Sequence, residues 1–286
     1  MGYGMAQSVL RAGHHTYGVD INAAAMTRFA AEGGSTGNLS DVVGELDAVA
    51  IVVLNAQQTE AVLFGEAGVV PGMKPGKVVI ACATVSPEFA RAMQARCGEH
   101  GVHYLDAPIS GGALKAAQGA LSIMASGTPE AFKAARGVLD ATAETVFELG
   151  DAAGAGSAMK AVNQLLAGVH IAVMAEALTF GMTQGVTPDK FVEVISKCAG
   201  TSWMLENRAP HIVDGDYTPR SSINIWPKDL NIVLDIAKSA KFSAPITAAA
   251  LQQFNAAADQ GLGGEDDAAV AKVYARNVGL KLPGEV

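Results

Sequence analysis

The sequence predicts an α/β protein in two parts: a doubly wound, mainly parallel domain over residues 1–152 and an all-helical domain over residues 153–286. Three observations carry that reading. Short, almost wholly apolar runs alternate with helical stretches up to about residue 150, the pattern of strands buried on both faces. The strand-like runs stop near Gly154, and from there long Ala- and Leu-rich stretches are punctuated by Gly, Pro and Asn. At 286 residues the chain is long enough for two domains that each bury a core.

In chain order, MGYGMAQSVLRAG reads as a helix behind a glycine-rich turn. Strands are expected at Thr16–Asp20, Ala48–Leu54, Lys77–Cys82, Val102–Pro108, Leu121–Ser126 and Thr145–Gly150, with helices such as Asn22–Gly33 and Pro87–Gly101 between them. The second part reads as helices Ser157–Gly185, Thr187–Cys198, Lys228–Ala240, Ile246–Gln260 and Asp266–Val278. The stretch Leu165–Met182 is apolar enough to suggest a membrane span, but it carries His170 and Glu176 and is diluted by Gly and Ala. It is expected to be a buried connecting helix, and no membrane partner is expected.

Half of the residues are hydrophobic, 17% are charged, and the net charge is -8. The 20 Lys and Arg are scattered, which argues against a nucleic-acid partner but leaves room for a small anionic substrate held by one local cation. Cys82, Cys97 and Cys198 show neither metal-ligand spacing nor an even count, so reduced thiols in a cytoplasmic protein are expected. No secretory signal precedes the first helix, and no His, Asp and Glu cluster has metal spacing, so no metal is expected.

The Gly2-x-Gly4 step at the head of a helix offers backbone N–H groups to a phosphate. Asp20 ends an apolar run 18 residues after Gly2, where a dinucleotide-binding fold puts an acid on the adenosine ribose. A carboxylate accepts both ribose hydroxyls and repels a 2′-phosphate, and Ile21-Asn22 supplies no Arg, so NAD is expected rather than NADP. On this reading Gly2 is the last glycine of Gly-x-Gly-x-x-Gly, and the first strand of a Rossmann-like domain belongs upstream of residue 1.

In GAGSAMKAVNQ (Gly154 to Gln164) the glycines and Ser157 open a helix and place Lys160 in about its first turn. There the positive end of the helix dipole and partial burial both disfavour a protonated amine, giving a lysine able to take a hydroxyl proton. Asn163 and Gln164, at i+3 and i+4, share its helical face. In DAPISGG (Asp106 to Gly112) a strand runs into a turn through Ser110, Gly111 and Gly112, whose N–H groups and hydroxyl suit a carboxylate. Thr84, Leu54 and Asn55 follow two strands at the carboxyl edge, where ligands of open parallel sheets sit. Taken singly, each motif also has a plain structural reading: a solvated lysine, a tight turn, a strand ending in Asp.

In this order, and with GTSWMLENRAP (Gly200 to Pro210), DGDYTPRS (Asp214 to Ser221) and PKDLNIVLD (Pro227 to Asp235), the motifs resemble the β-hydroxyacid dehydrogenases, the family of 3-hydroxyisobutyrate dehydrogenase, along essentially the whole chain. The resemblance implies hydride transfer between NAD and the carbinol carbon of a small hydroxy acid, with Lys160 and Asn163 catalytic. It implies Ser110, Gly111, Gly112 and Gln164 on the substrate, and Gly2, Gly4, Asp20, Leu54, Asn55, Thr84 and Lys228 on the cofactor, with Asp229 beside Lys228 able to hold its charge. The implied substrate is a four-carbon sugar acid such as L-threonate, oxidised to its 2-oxo acid, in a homo-oligomer, dimer or tetramer. Oxidation of 3-hydroxyisobutyrate or reduction of tartronate semialdehyde is the neighbouring alternative, and a non-catalytic dinucleotide-binding remnant is the alternative of another class. An imine reductase is disfavoured because Lys160 is present. Trp203, Trp226 and Phe180 are expected in the core or between domains, and His170 in the core.

Overall fold

A computed structural model describes residues 1–285. The chain divides into two compact units, Met1–Lys160 and Ala161–Val286.

The first unit carries strands β1 (Ala48–Ile51), β2 (Val78–Ala81), β3 (His103–Asp106), β4 (Ile109–Ser110), β5 (Leu121–Ala125) and β6 (Ala143–Glu148). Its helices are α1 (Gly2–Arg11), α2 (Ala23–Ala31), α3 (Leu39–Val42), α4 (Ala56–Phe64), α5 (Pro87–Glu99), α6 (Gly112–Gln118) and α7 (Pro129–Thr142). Strands β1, β2 and β3 form one parallel sheet with β2 in the middle. Every residue of β2 is buried. Val78 and Ile80 pack into a core with Met5 and Leu139, and Val79 and Ala81 into a second core with Leu63 and Met93. That two-sided burial is why the run is apolar without alternation.

A second sheet, ordered β4-β5-β6, pairs β4 antiparallel and β6 parallel to β5. It meets the first through a single antiparallel bridge, Asp106 to Ser126. Two residues leave no periodic signal, so β4 is absent from the sequence reading. The strand expected at Thr16–Asp20 does not form: Tyr17 makes one parallel bridge to Ser35, and Val19 is exposed. An apolar run becomes a strand only where a neighbouring backbone continues the hydrogen-bond ladder along it, and here the pairing is a single bridge.

Helix starts follow local chemistry. Asn22 accepts from the N–H groups of Ala24 and Ala25 at the head of α2, and Ser86 and Thr128 accept from Phe89 and Ala131 ahead of Pro87 and Pro129. Helix α1 lies close on α6, with Ser8 Oγ donating to the Ala116 carbonyl at 2.9 Å.

The second unit is helical. Helix α8 (Ala155–Thr183) enters it from the first unit, so the division lies inside one continuous helix; α9 (Pro188–Ile195), α10 (Trp203–Asp214), α11 (Ile225–Ser239), α12 (Pro245–Ala257) and α13 (Ala271–Asn277) follow. Its core gathers Ile171, Met174, Leu178, Ile212, Leu230 and Phe254. Trp226 stacks on Phe254 and donates Nε1–H to Asp267, which also binds Arg208. The sequence reading has no helix at α10, which carries Pro210 in its interior. Ser202 caps it, accepting from Leu205, and the buried face of Met204, Leu205, Ala209 and Ile212 keeps it helical through the proline. Trp226 is buried as expected, whereas Trp203 and Phe180 are exposed, being on solvent-facing positions of their helices. Among the described residues α8 is the one helix long and apolar enough to cross a membrane.

Candidate active site

The start of α8 is built by groups distant in sequence. Asp106, the last residue of β3, is 1% exposed. Its Oδ2 accepts from the N–H groups of Gly154 at 2.9 Å and Ser157 at 2.8 Å, and its Oδ1 from the Ser157 hydroxyl at 2.7 Å. Ser126, just past β5, donates to the same carboxylate at 3.3 Å and accepts from Gly156 N–H at 2.9 Å. These bonds satisfy amides that a helix start cannot pair within itself. Burial pushes the Asp106 carboxyl up from its ordinary range, and the hydrogen bonds from Ser157, Gly154 and Ser126 oppose that rise. At Gly156 a Cβ would meet the Met124 carbonyl oxygen at 2.4 Å and that of Asp106 at 2.8 Å, so only glycine lets the helix sit this close to both strand ends.

Lys160 lies three residues beyond Ser157, and its amine is buried, 8% exposed as a residue, donating to the Ile109 carbonyl at 3.0 Å. The solvated-lysine reading therefore fails. Ile109 precedes the turn through Ser110, Gly111 and Gly112. Gly111 and Gly112 take φ of +133° and +76°, in the left-handed region that favours glycine. The turn leads into α6, whose first N–H groups have no partner within the helix, beside the half-buried Ser110.

The pairing of Ile51 with Ala81 and of Ala81 with Asp106 puts the ends of β1, β2 and β3 on one edge of the sheet. Leu54 and Asn55, Thr84, and the Ser110 turn all leave from that edge. Leu54 is exposed, Thr84 half-buried, and Asn55 caps α4 by accepting from Gln58 N–H at 2.8 Å. Asp20 is exposed and takes the N–H of Asn22 at 2.8 Å, leaving its carboxylate open to solvent. Gly2 opens α1, whereas a Cβ on Gly4 would meet the Ala117 nitrogen at 2.6 Å. The close approach of α6 accounts for glycine at position 4.

In the helical unit four side chains form a chain of hydrogen bonds. Asn163 Nδ2 donates to Gln164 Oε1 at 2.9 Å, Gln164 Nε2 donates to Asp229 Oδ2 at 2.5 Å, and Lys228 Nζ binds Asp229 Oδ1. Gln164, expected on the substrate, is buried and holds Asn163 and Asp229 through the two ends of its amide. Lys228 is paired with Asp229 as foreseen. Sequence reasoning missed the roles of Asp106 and Ser126; an acid at a strand end before Pro108 is the one visible signal. His170 is half-buried. Among the described residues no group of three His, Cys, Asp or Glu side chains could hold a metal.

Residues 1–150 match the family model for the NAD-binding domain of 6-phosphogluconate dehydrogenase, and residues 154–274 match that described as NAD-binding of NADP-dependent 3-hydroxyisobutyrate dehydrogenase. An L-threonate dehydrogenase from Cupriavidus necator is 51% identical, covering 100% of this chain and 95% of that protein. One from Escherichia coli K12 is 43% identical over 99% of this chain and 94% of its own. The chain belongs to the 3-hydroxyisobutyrate dehydrogenase-like family. Among solved structures, 3-hydroxyisobutyrate dehydrogenase from Salmonella typhimurium superposes with a TM-score of 0.90 at 46% identity, covering 95% of each chain.

As a 3-hydroxyisobutyrate dehydrogenase-like protein the chain is an NAD-dependent dehydrogenase, and its residues fit that cofactor. The open carboxylate of Asp20 suits ribose hydroxyls, and large apolar side chains at Val19, Ile21 and Leu54 stand exposed next to it in sequence or at the sheet edge, where an adenine or ribose face would cover them.

Proposed function

We propose that the protein oxidises a four-carbon sugar acid such as L-threonate to its 2-oxo acid, using NAD. The observation that carries this reading is the buried Lys160 amine on the Ile109 carbonyl, one residue before the Ser110-Gly111-Gly112 turn. The turn's N–H groups and the Ser110 hydroxyl hold the substrate carboxylate. The Lys160 amine, held on the Ile109 carbonyl, is placed to accept the hydrogen bond of the carbinol hydroxyl once it has given up its own proton. When bound, NAD supplies an acceptor for the carbinol hydride. Lys160 takes the hydroxyl proton as the C–H bond breaks, and the C–O bond closes to the ketone.

Gly2 offers a backbone N–H to the pyrophosphate, Asp20 accepts the adenosine ribose hydroxyls, and Leu54, Asn55 and Thr84 line the cofactor's path along the sheet edge. Asn163 and Lys228 are proposed as further ligands of substrate and cofactor, oriented through Gln164 and Asp229. The relatives named L-threonate dehydrogenase, 43–51% identical, support the sugar acid. A second reading keeps the chemistry and takes 3-hydroxyisobutyrate, favoured by the name of the Salmonella structure. The protein is proposed to work in the cytoplasm as a homo-oligomer.

Steady-state assays of L-threonate, 3-hydroxyisobutyrate and, in reverse, tartronate semialdehyde test the reading. The highest kcat/KM with L-threonate and NAD supports it. Preference for 3-hydroxyisobutyrate transfers the assignment to the second reading, and no turnover of any acid with NAD removes both. Light scattering on the eluting protein gives the assembly state.

A further inference from the structure

We propose that Asp106 is a positioning residue for Lys160, its carboxylate clamping the first turn of α8 so that the amine is delivered beside the anion-binding turn. The inference rests on Lys160 being the proton acceptor of the proposed reaction.

The geometry is a closed ring. Asp106 grips Gly154 and Ser157 at the head of the helix, and one helical turn later Lys160 reaches back to Ile109, three residues along the chain from Asp106. The short segment from Asp106 to Ile109 is thereby fastened to α8 at both ends. Ser110, the first residue of the carboxylate site, comes next. The distance between the proton acceptor and the substrate's carboxylate is then decided by one buried carboxylate and a few peptide units rather than by a flexible four-carbon stem. Ser126 adds a second strap between β5 and the same turn through Gly156 N–H. A side chain at position 156 would hold the helix away from the Met124 and Asp106 carbonyls.

The arrangement is more than a helix cap. A cap placed for stability alone is normally the residue just before its own helix, and here that work is done by a strand end some fifty residues upstream in sequence, adjoining the substrate turn. The buried carboxylate also places a negative group at the end of the helix from which the buried Lys160 amine emerges. An amide at position 106 keeps the volume but cannot accept at both of its ends, so the clamp loosens without leaving a cavity.

The test compares Asp106→Asn, Ser157→Ala and Lys160→Ala in the full-length protein, using whichever acid turns over fastest, plain and deuterated at its carbinol carbon. Folded fraction and Tm are measured alongside. A displaced acceptor should lower kcat per folded molecule about 10²-fold in Asp106→Asn, leave KM within about threefold, and raise the deuterium isotope effect on kcat as the chemical step becomes limiting. Ser157→Ala, which keeps the carboxylate and both backbone bonds, should move kcat the same way by about tenfold. A lower Tm with kcat, KM and isotope effect at wild-type values in both variants overturns the inference. Should Asp106→Asn not fold, Ser157→Ala decides by the same criteria. Substantial turnover by Lys160→Ala defeats the reading of the site itself, whereas a dead Lys160→Ala beside fully active Asp106→Asn and Ser157→Ala defeats only the positioning role.

Discussion

Gln164 donates its side-chain amide to the buried carboxylate of Asp229 at 2.5 Å. The pairing leaves one orientation for the amide, with its carbonyl turned to Asn163, so Asn163 and Asp229 are both set by the side chain between them. Gln164→Leu keeps most of the volume and strips both bonds. It should lower the free energy of unfolding by about 1–3 kcal/mol, because the buried Asp229 carboxylate loses the hydrogen bond that Gln164 gives it. Urea denaturation checks this, and an unchanged midpoint would mean the amide contributes nothing to the fold.

Burial pushes the Cys82 and Cys97 thiols up to about 12, with the Asp106 carboxyl adding to the rise at Cys82. In the unfolded chain both return to about 8.5. The folded state therefore holds these protons more tightly. That stabilisation is complete below about pH 8.5 and is lost as the pH climbs toward the folded-state value. The urea midpoint should accordingly fall on moving from about pH 8 to about pH 10, and Cys97→Ala should flatten the slope. Under native conditions a disulfide exchange reagent should label Cys198 quickly and the two buried thiols slowly.

Tyr104 is 2% exposed and its hydroxyl has no hydrogen-bond partner, the one such buried side-chain atom among the described residues. Removing an unpaired buried hydroxyl relieves a desolvation cost, so Tyr104→Phe should be neutral or raise stability by about 1 kcal/mol. Thermal unfolding followed by circular dichroism is the measurement; a clear fall in Tm would indicate a bonded hydroxyl.

The proposed place of Asp20 on the adenosine ribose gives it the choice between the two nicotinamide cofactors. Asp20→Ala removes the acceptor for the ribose hydroxyls and the repulsion of a 2′-phosphate, so the ratio of kcat/KM for NAD over NADP should fall about tenfold or more, about 1.4 kcal/mol of discrimination. An unaltered ratio would take Asp20 out of the cofactor site.

The amino-acid order alone determined the succession of elements apart from β4, α10 and the strand expected at Thr16–Asp20, the switch from sheet to helices near Gly154, and the glycine turn that follows Ile109. These are legible because apolar period, glycine at left-handed positions and capping residues act within a few residues of one another. Only the tertiary structure decided that Gly4 serves packing against α6, that Gln164 is tied to Asp229, that α10 runs through Pro210, and that Asp106 holds the start of α8. Each of those depends on groups brought together from far apart in sequence. A side chain's role there follows from which polar group burial forces it to satisfy, and local periodicity carries no record of that.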